Sequence, residues 1–489
     1  MKNLLYIFAF PIFFLLAYII LFFSGFIGFD SAVFIYGGES IHSQEPSILF
    51  WDNKGPFLYL INYLGQILNA PYGFYILEGF FLSAALCCSN YLLRTLIDRK
   101  FIIYSNFLLF LTYLHFFDGG NFTETYQLGL NLICFSILIH FYFYNAGQSN
   151  KANLFFIFVI GFSISIGFLM RPNNILGICI AAIVILFLYK RNIYKGLLSI
   201  VFGFTLPIVF ILTLYSPEKI ASFYYSFFEY NFLIYSTALD PLIRIKGILL
   251  LIEKIDFSVI MLFLLIAFFG LKKAETNQSK HIKLLNIFAI IFSFDLISQF
   301  ISGHFFNHYL LIPITSLYFF LMSILISKEQ KIPKIPLAIL FILFLIHLIP
   351  ISYAARGMMG FYSDGFNNTD SRLSNINHML LTNIDIKSNK ILIIDTPQLL
   401  VKNQIISTSR YIYTPLFKSD EFKKEYATNF INDFLDAKPE YIFSPANRSF
   451  LSQKELTSSN EYKLARDYFE EHYKQILIKH DYEIWKKVL

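Results

Sequence analysis

The sequence predicts an all-α polytopic membrane domain of about eleven transmembrane helices, followed by a small C-terminal α/β domain outside the cytoplasm. Three observations support this fold class. Hydrophobic residues make up 56% of the chain and charged residues only 15%, whereas about 25% of an average soluble domain is charged. The apolar residues form long runs that are almost free of charge. After about residue 356 the pattern changes to that of a globular domain.

The long apolar runs define the spans, because a helix needs about 20 mostly apolar residues to cross a bilayer. The predicted spans are 6–27, 71–93, 101–117, 125–144, 154–170, 175–189, 197–215, 257–271, 284–301, 309–326 and 336–353. The first run is longer than the core of a signal peptide and has no small-x-small cleavage site after it, so we expect it to remain as a helix. The segment 55–69 is too short to span, so we expect it to lie flat on the outer membrane surface.

Basic residues concentrate in every second loop. The even-numbered loops contain Arg94, Arg99, Lys100, Lys151, Lys190, Arg191, Lys195, Lys272, Lys273, Lys280, Lys283, Lys328, Lys331 and Lys334. The odd-numbered loops contain far fewer, chiefly Lys54, Arg171, Lys219, Arg244, Lys246 and Lys254. Because positive residues collect on the cytoplasmic side, we expect the odd loops and the C-terminal domain to lie outside. The chain has no basic, aromatic-rich soluble face, so we expect no nucleic-acid partner.

The chain divides into a transmembrane domain over 1–355 and an extracytoplasmic α/β domain over 356–489. In the second domain, 390–395 and 441–443 are predicted to be strands, and the apolar spacing in 421–435 and 462–477 predicts two helices. The cysteines lie in apolar runs without zinc-site spacing, so we interpret them as free thiols.

The first outer loop, 28–70, has the densest polar content near the membrane. Asp30 directly follows the first span, where its carboxylate could act as a general base towards a hydroxyl. On position alone, a solvated acid at a helix end is the more common case. Lys54 precedes Gly55-Pro56 at the start of the short apolar segment. A lysine there could bind a lipid phosphate, or it could simply extend its charged end from the apolar surface into water.

Several short motifs fall in order on the predicted outer segments. They are Phe29-Asp30, Asp52-Asn53-Lys54-Gly55-Pro56, Asn121-Phe122-Thr123-Glu124-Thr125-Tyr126, Arg171-Pro172-Asn173-Asn174 and Gly303-His304-Phe305-Phe306-Asn307-His308-Tyr309. Together they resemble the GT-C class of membrane glycosyltransferases. The resemblance is to bacterial enzymes related to protein O-mannosyltransferases and to lipid A aminoarabinose transferase, and it covers nearly the whole chain.

The resemblance implies a role for each motif. Asp30 would take the proton of an acceptor hydroxyl, and Glu124 would orient the acceptor or share the proton transfer. Lys54 would bind the donor phosphate, assisted by Arg171 and His308. The remaining candidate substrate contacts are Tyr36, Asp52 and His304. Tyr36 could instead belong to an interfacial aromatic belt.

The resemblance is incomplete at the position of a metal site. The segment Asp30-Ser31-Ala32 lacks the second acid of the Asp-x-Asp pair that some members of the class have. A divalent metal could bridge Asp30 and Glu124, but we expect no metal or other cofactor.

The predicted function is transfer of a sugar from a polyprenyl-phosphate carrier, with inversion at the anomeric carbon. The acceptor hydroxyl would belong to a lipid-linked glycan, a lipid or a protein at the outer face of a bacterial cytoplasmic membrane. The alternative is a transporter or flippase of lipid-linked sugars. Transporters place polar elements near the bilayer midplane, whereas here the polar residues gather at the outer boundary.

Two acids and one asparagine leave alternatives open. Glu78 and Asp295 lie within predicted spans, where a carboxylate is either functional or hydrogen-bonded between helices. Asn121-Phe122-Thr123 matches a glycosylation sequon, which we discount because the neighbouring Glu124 better explains this segment.

Overall fold

The structure is a computed structural model of the 489-residue chain. It describes residues 5–42, 52, 54–116, 119–145, 151–235, 279–301, 306–326, 371–384, 386, 390–409, 411–412, 420–446, 460–479 and 481–488. The predicted spans 257–271 and 336–353 lie outside the described residues.

Helices form the described part of the transmembrane domain. They are α1 (Leu5–Ser24), α2 (Phe29–His42), α3 (Pro56–Asn69), α4 (Gly73–Leu93), α5 (Arg99–Phe116), α6 (Thr123–His140), α7 (Lys151–Met170), α8 (Leu176–Leu188), α9 (Ile193–Leu214), α10 (Pro217–Phe223), α11 (Ser279–Ile301) and α12 (Leu311–Leu325). Every predicted span that falls on described residues is helical, and 6 described helices are long and apolar enough to cross a membrane. The fold is that of a multi-pass membrane protein.

A proline in α1 illustrates how the helices hold one another. Pro11 has no N–H, so the carbonyl of Ile7 lacks the hydrogen bond that residue 11 would give in a regular helix. The Asn90 side chain of α4 donates to that carbonyl at 3.1 Å, and Ser83 of α4 donates to the carbonyl of Pro11 at 2.8 Å. Because the hydrocarbon core offers no water to these carbonyls, the two bonds fix α4 against α1.

Both acids within the predicted spans accept hydrogen bonds between structural elements. Glu78 of α4 accepts from the backbone N–H of Asn121, which precedes α6. Asp295 of α11 accepts from the backbone N–H of Gly177 in α8 at 2.9 Å and from the hydroxyl of Ser316 in α12. Asp295 therefore makes the hydrogen bonds between helices that the structural alternative predicts.

Two helices, α2 and α3, lie between α1 and α4, in the segment that the sequence predicts to be the first outer loop. Asp30 lies in the first turn of α2. Helix α3 begins with Pro56 at its first position, where the N–H that proline lacks would have no partner within the helix. One side of α3 is buried and includes Tyr59 and Asn62, whereas Leu64 and Ile67 are exposed. An exposed apolar side suits a helix on a membrane surface, although that position remains a prediction.

The C-terminal domain contains a small mixed sheet. Its described elements are α13 (Ser371–Asn383), β1 (Ile391–Ile393), α14 (Pro397–Asn403), α15 (Asp420–Ala437), β2 (Tyr441–Pro445), α16 (Asn460–His472), β3 (Tyr473–Lys479) and β4 (Tyr482–Lys487). The strand order is β1-β2-β4-β3, with β1 and β2 parallel and the other pairs antiparallel. This sheet confirms the predicted α/β character of the domain.

One predicted element in this domain is wrong. The sequence predicted a single helix over 462–477, but α16 ends at His472 and β3 begins at Tyr473. The segment that follows the helix pairs with β4 in a hairpin, and Asp481 turns the chain with a φ of 62°. Asp tolerates this left-handed conformation better than most residues. Pairing with the next strand in the chain thus outweighed a helical spacing that continued across the boundary.

Candidate active site

Lys54 and Arg171, from two separate loops, are brought together by a backbone contact between their neighbours. The N–H of Gly55 donates to the carbonyl of Met170 at 3.0 Å. A Cβ atom on residue 55 would lie only 1.9 Å from the carbonyl oxygen of Leu169, so the close approach requires glycine. The Lys-Gly-Pro motif therefore places its lysine beside Arg171.

Arg171 forms a buried ion pair with Glu124, which lies in the first turn of α6. Their side chains are 11% and 2% exposed. The hydroxyl of Thr123 donates to the other carboxylate oxygen of Glu124 at 3.0 Å. The guanidinium of Arg171 lies 4.0 Å from the ring centroid of Tyr309. A buried charge is costly unless it is paired, so these contacts keep both groups ionised and oriented.

His308 completes the group from the segment before α12. It is buried, and its ring stacks on Phe122 with 4.0 Å between centroids and 16° between planes. Arg171, His308 and Lys54 all interact electrostatically with the carboxylate of Glu124. We call these four residues, Lys54, Glu124, Arg171 and His308, the basic cluster. They come from four of the motifs that the sequence predicted to share one side of the membrane.

Asp30 lies at the exposed start of α2. The hydroxyl of its neighbour Ser31 donates to the carbonyl of Gly120 at 3.1 Å. Gly120 belongs to the short loop that leads into α6, four residues before Glu124. The start of α2, and Asp30 with it, therefore lies next to the loop that carries the acid of the basic cluster.

The candidate substrate contacts have different surroundings. Asp52 is buried and accepts a hydrogen bond of 2.5 Å from the hydroxyl of Tyr59. Tyr36 is buried, and its hydroxyl oxygen accepts from the backbone N–H of Ser407 in the C-terminal domain at 3.0 Å. Burial raises the pKa of Tyr36 above its ordinary value, so it stays a neutral phenol. His304 lies outside the described residues. Contact of any of these residues with a sugar remains a prediction.

The sequence analysis did not assign a role to Tyr59, Asn62 or Phe122. Tyr59 binds Asp52, Phe122 stacks on His308, and Asn62 pairs with Asn121. The signal for the first two was their position within or next to a motif. Asn62 is one of three amide residues in the mostly apolar helix α3, with Gln66 and Asn69, so its position did not mark it out.

The described residues contain no group of three or more His, Cys, Asp or Glu side chains that could hold a metal ion. The four cysteines, all within the described residues, are free. That the chain needs no metal stays a prediction. Asn121 is fully buried, so its side chain is not accessible to glycosylation in this fold.

Comparison with known proteins relates the chain to solved structures but not to sequence families. No protein-family model and no curated protein sequence matches it. The structure is similar to that of ArnT from Cupriavidus metallidurans bound to undecaprenyl phosphate, with a TM-score of 0.51 and 10% identity over 97% of each chain. ArnT in the apo state gives a TM-score of 0.52, also with 10% identity over 97% of each chain.

The chain has the fold of ArnT. A weaker similarity, to the archaeal oligosaccharyltransferase AglB from Archaeoglobus fulgidus, has a TM-score of 0.46 and 11% identity over 91% of this chain and 68% of AglB. That score is too low to support the fold assignment. The similarity to ArnT over nearly the whole chain confirms, for the fold, the resemblance that the motifs carried, including the trailing C-terminal domain.

Proposed function

We propose that this chain is a membrane glycosyltransferase that moves a sugar from a polyprenyl-phosphate carrier to an acceptor hydroxyl. The reaction would take place at the outer face of the cytoplasmic membrane of a bacterium. The acceptor would be a lipid-linked glycan, a lipid or a protein.

The basic cluster is the observation that carries this proposal. Arg171 pairs with the buried carboxylate of Glu124, and Lys54 and His308 interact with it electrostatically. All four residues belong to segments next to the lysine-poor loops. Basic groups held in a site with little water bind and stabilise a phosphate more strongly than the same groups in water. The ArnT fold adds support, because ArnT was solved with undecaprenyl phosphate bound.

The proposed reaction is a single displacement. Asp30 would accept the proton of the acceptor hydroxyl while the oxygen of that hydroxyl attacks the anomeric carbon of the sugar. The bond from that carbon to the carrier phosphate would break, and the phosphate would leave with the bonding electrons. Attack from the face opposite the phosphate inverts the anomeric centre. Lys54 and Arg171 would stabilise the negative charge that develops on the leaving phosphate.

Within this proposal Glu124 is an orienting residue. The resemblance to GT-C enzymes implies two roles for this residue, acceptor orientation or a share of the proton transfer. The ion pair with Arg171 favours orientation, because a carboxylate paired with a guanidinium is a weak base. Asp30 is exposed at a helix start, which suits a base that must reach an acceptor arriving from outside.

The test measures release of polyprenyl phosphate by the purified protein in nanodiscs, with a panel of polyprenyl-phosphate sugars and acceptors. We expect Asp30→Asn to abolish turnover. Glu39→Gln is the matched control, because it removes another carboxylate from α2 and should leave turnover intact. Lys54→Ala should weaken apparent donor affinity by about 10–100-fold, the worth of a charge-assisted hydrogen bond of about 1.5–3 kcal/mol.

Two results would contradict the proposal. Turnover that survives Asp30→Asn would remove Asp30 from the reaction. Movement of intact lipid-linked sugar across the bilayer, without carrier release from any donor, would instead support a transporter or flippase.

A further inference from the structure

The loop that leads into α6 has an unusual backbone. Gly119, Gly120 and Asn121 all have positive φ angles, of 91°, 77° and 64°. Glycine adopts such angles readily, but Asn does so at a cost. A buried loop of this shape keeps its conformation only when its surroundings hold it.

Glu78 of α4 is the first residue that stabilises this loop conformation. Its two carboxylate oxygens lie 3.0 and 2.8 Å from the backbone nitrogen of Asn121. The side chains of Thr125 and Tyr18 also form hydrogen bonds with Glu78, which is fully buried. A carboxylate is expensive inside a membrane protein, and here its acceptor capacity is directed at the strained residue of the loop.

Asn62 of α3 is the second residue that stabilises the loop. The side-chain amides of Asn62 and Asn121 bind each other reciprocally, at 2.7 and 3.1 Å. The amide of Asn62 also donates to the carbonyl of Leu58 at 2.9 Å, and the hydroxyl of Tyr126 donates to Asn121 at 3.4 Å. Asn121 is thus fixed by side chains from α3, α4 and α6.

The same loop contacts both parts of the proposed site. Gly120 accepts from Ser31, the neighbour of Asp30, and Asn121 lies three residues before Glu124. The hydroxyl of Tyr75 in α4 also donates a hydrogen bond to the loop, at 3.2 Å from the carbonyl oxygen of Gly119. A shift of the loop would therefore move the start of α2 relative to the basic cluster.

We propose that Glu78 and Asn62 are positioning residues, which set the distance from Asp30 to the basic cluster through the Gly119–Asn121 loop. They touch neither substrate. The inference rests on the proposed function for its effect on turnover, but the holding of the loop is a separate claim that can be tested without activity.

The first test is the carrier-release assay with Glu78→Gln. This change keeps the shape of the side chain but replaces one of the two acceptor oxygens by an NH₂ group. Both oxygens of Glu78 face the Asn121 N–H, so two donors would then lie close to each other. A misplacement of about 1 Å can lower a rate about 100-fold. We expect a fall in kcat of that order with little change in donor KM, because Lys54 and Arg171 are held together by the separate Gly55–Met170 contact.

The matched control is Asp295→Asn. Asp295 is also a fully buried carboxylate in a span, and it also accepts from a backbone N–H, that of Gly177. A general cost of losing a buried carboxylate would appear in both variants. The inference requires kcat to fall only in Glu78→Gln, and equal falls would overturn it.

A double-mutant cycle tests Asn62. Asn62→Ala and Asn121→Gly each remove the reciprocal amide pair, and glycine keeps the φ of residue 121 accessible. If the pair acts as a unit, the double variant should lose little more kcat than either single variant. Fully additive losses would overturn the role of Asn62. This cycle also decides the inference if Glu78→Gln does not fold.

Hydrogen exchange separates this inference from the proposed function. Amides of residues 119–124 should exchange faster in Glu78→Gln than in wild type or Asp295→Asn, because the Asn121 N–H loses one of the two carboxyl oxygens that face it. If wild type releases no carrier from any donor, the proposed function fails, and this exchange result alone decides whether Glu78 holds the loop. Unchanged exchange in the loop would overturn the inference whatever the activity.

Discussion

Gly55→Ala should impair the proposed enzyme although it alters no charged or reactive group. In the structure a Cβ atom at residue 55 would lie 1.9 Å from the carbonyl oxygen of Leu169. Cβ atoms in proteins essentially never lie within 3.0 Å of a non-bonded heavy atom from another part of the chain. The backbone of residue 55 or of Leu169 must therefore move by at least about 1.1 Å, the gap between those two distances. That movement stretches the Gly55–Met170 hydrogen bond and separates Lys54 from Arg171.

The expected magnitude follows from the size of this movement. A displacement of about 1 Å in a positioning contact can cost about 100-fold in rate, which corresponds to about 2.7 kcal/mol of transition-state stabilisation. Because Lys54 would contact the donor in the ground state as well in the proposed site, we expect the loss to appear mainly as a higher donor KM. The assay is carrier release over a range of donor concentrations.

Gly28→Ala provides the matched control. Gly28 belongs to the same outer segment, but a Cβ there would meet only Phe26 and Ser31, each at 3.8 Å, an ordinary contact distance. This variant should keep both KM and kcat. The double variant Gly55→Ala with Lys54→Ala should be little worse than Lys54→Ala alone, because both changes remove the same interaction. Wild-type donor KM in Gly55→Ala, or full additivity with Lys54→Ala, would refute the reasoning.

Three further predictions concern stability. Arg171→Ala leaves the Glu124 carboxylate buried without its guanidinium partner, so it should lower the free energy of unfolding by about 3–5 kcal/mol; a thermal unfolding midpoint equal to that of wild type would contradict this. Tyr36→Phe removes the hydroxyl that accepts from the C-terminal domain and should cost about 1–3 kcal/mol, seen as faster proteolysis of that domain; unchanged proteolysis would argue against the contact. Burial is the main cause that lowers the pKa of His42 from 6.5 to about 4. The unfolded chain therefore binds this proton more readily, and stability should fall as the pH drops from 6.5 towards 4; His42→Gln should reduce that dependence, and an unchanged pH profile in the variant would count against it.

The sequence predicted the membrane helices and the gathering of the motifs for physical reasons that are local. Span length and composition are imposed by the bilayer, so the helices on described residues matched the apolar runs. The distribution of lysine and arginine assigned alternate loops to one side. Residues as distant in sequence as Lys54 and His308 were therefore expected near one another, and both act on Glu124.

The pairing within the site could not be predicted in the same way. Nothing in the order of residues says that Glu124 pairs with Arg171, or that Gly55 contacts Met170, because these contacts depend on how the helices pack. Glu78 was noticed as an acid in a span, but its partner is the backbone of Asn121, and a backbone N–H has no sequence signature. The strand β3 was missed for a related reason, since its partner β4 lies beyond a turn that the helical spacing did not mark.

The residues around Lys54 and Glu124 meet separate physical requirements that together shape the proposed site. Pro56 can start α3 because the N–H that it lacks would have no partner within the helix. Gly55 permits the backbone contact that places Lys54 beside Arg171. Buried basic groups repel one another and lose hydration, so a cluster of them needs a nearby anion before any phosphate arrives. Glu124 meets that need from the first turn of α6, where the helix dipole also favours a negative charge. A cluster that is already charged and oriented needs little rearrangement when a phosphate enters, and this is the condition under which electrostatic stabilisation of a leaving group is most effective.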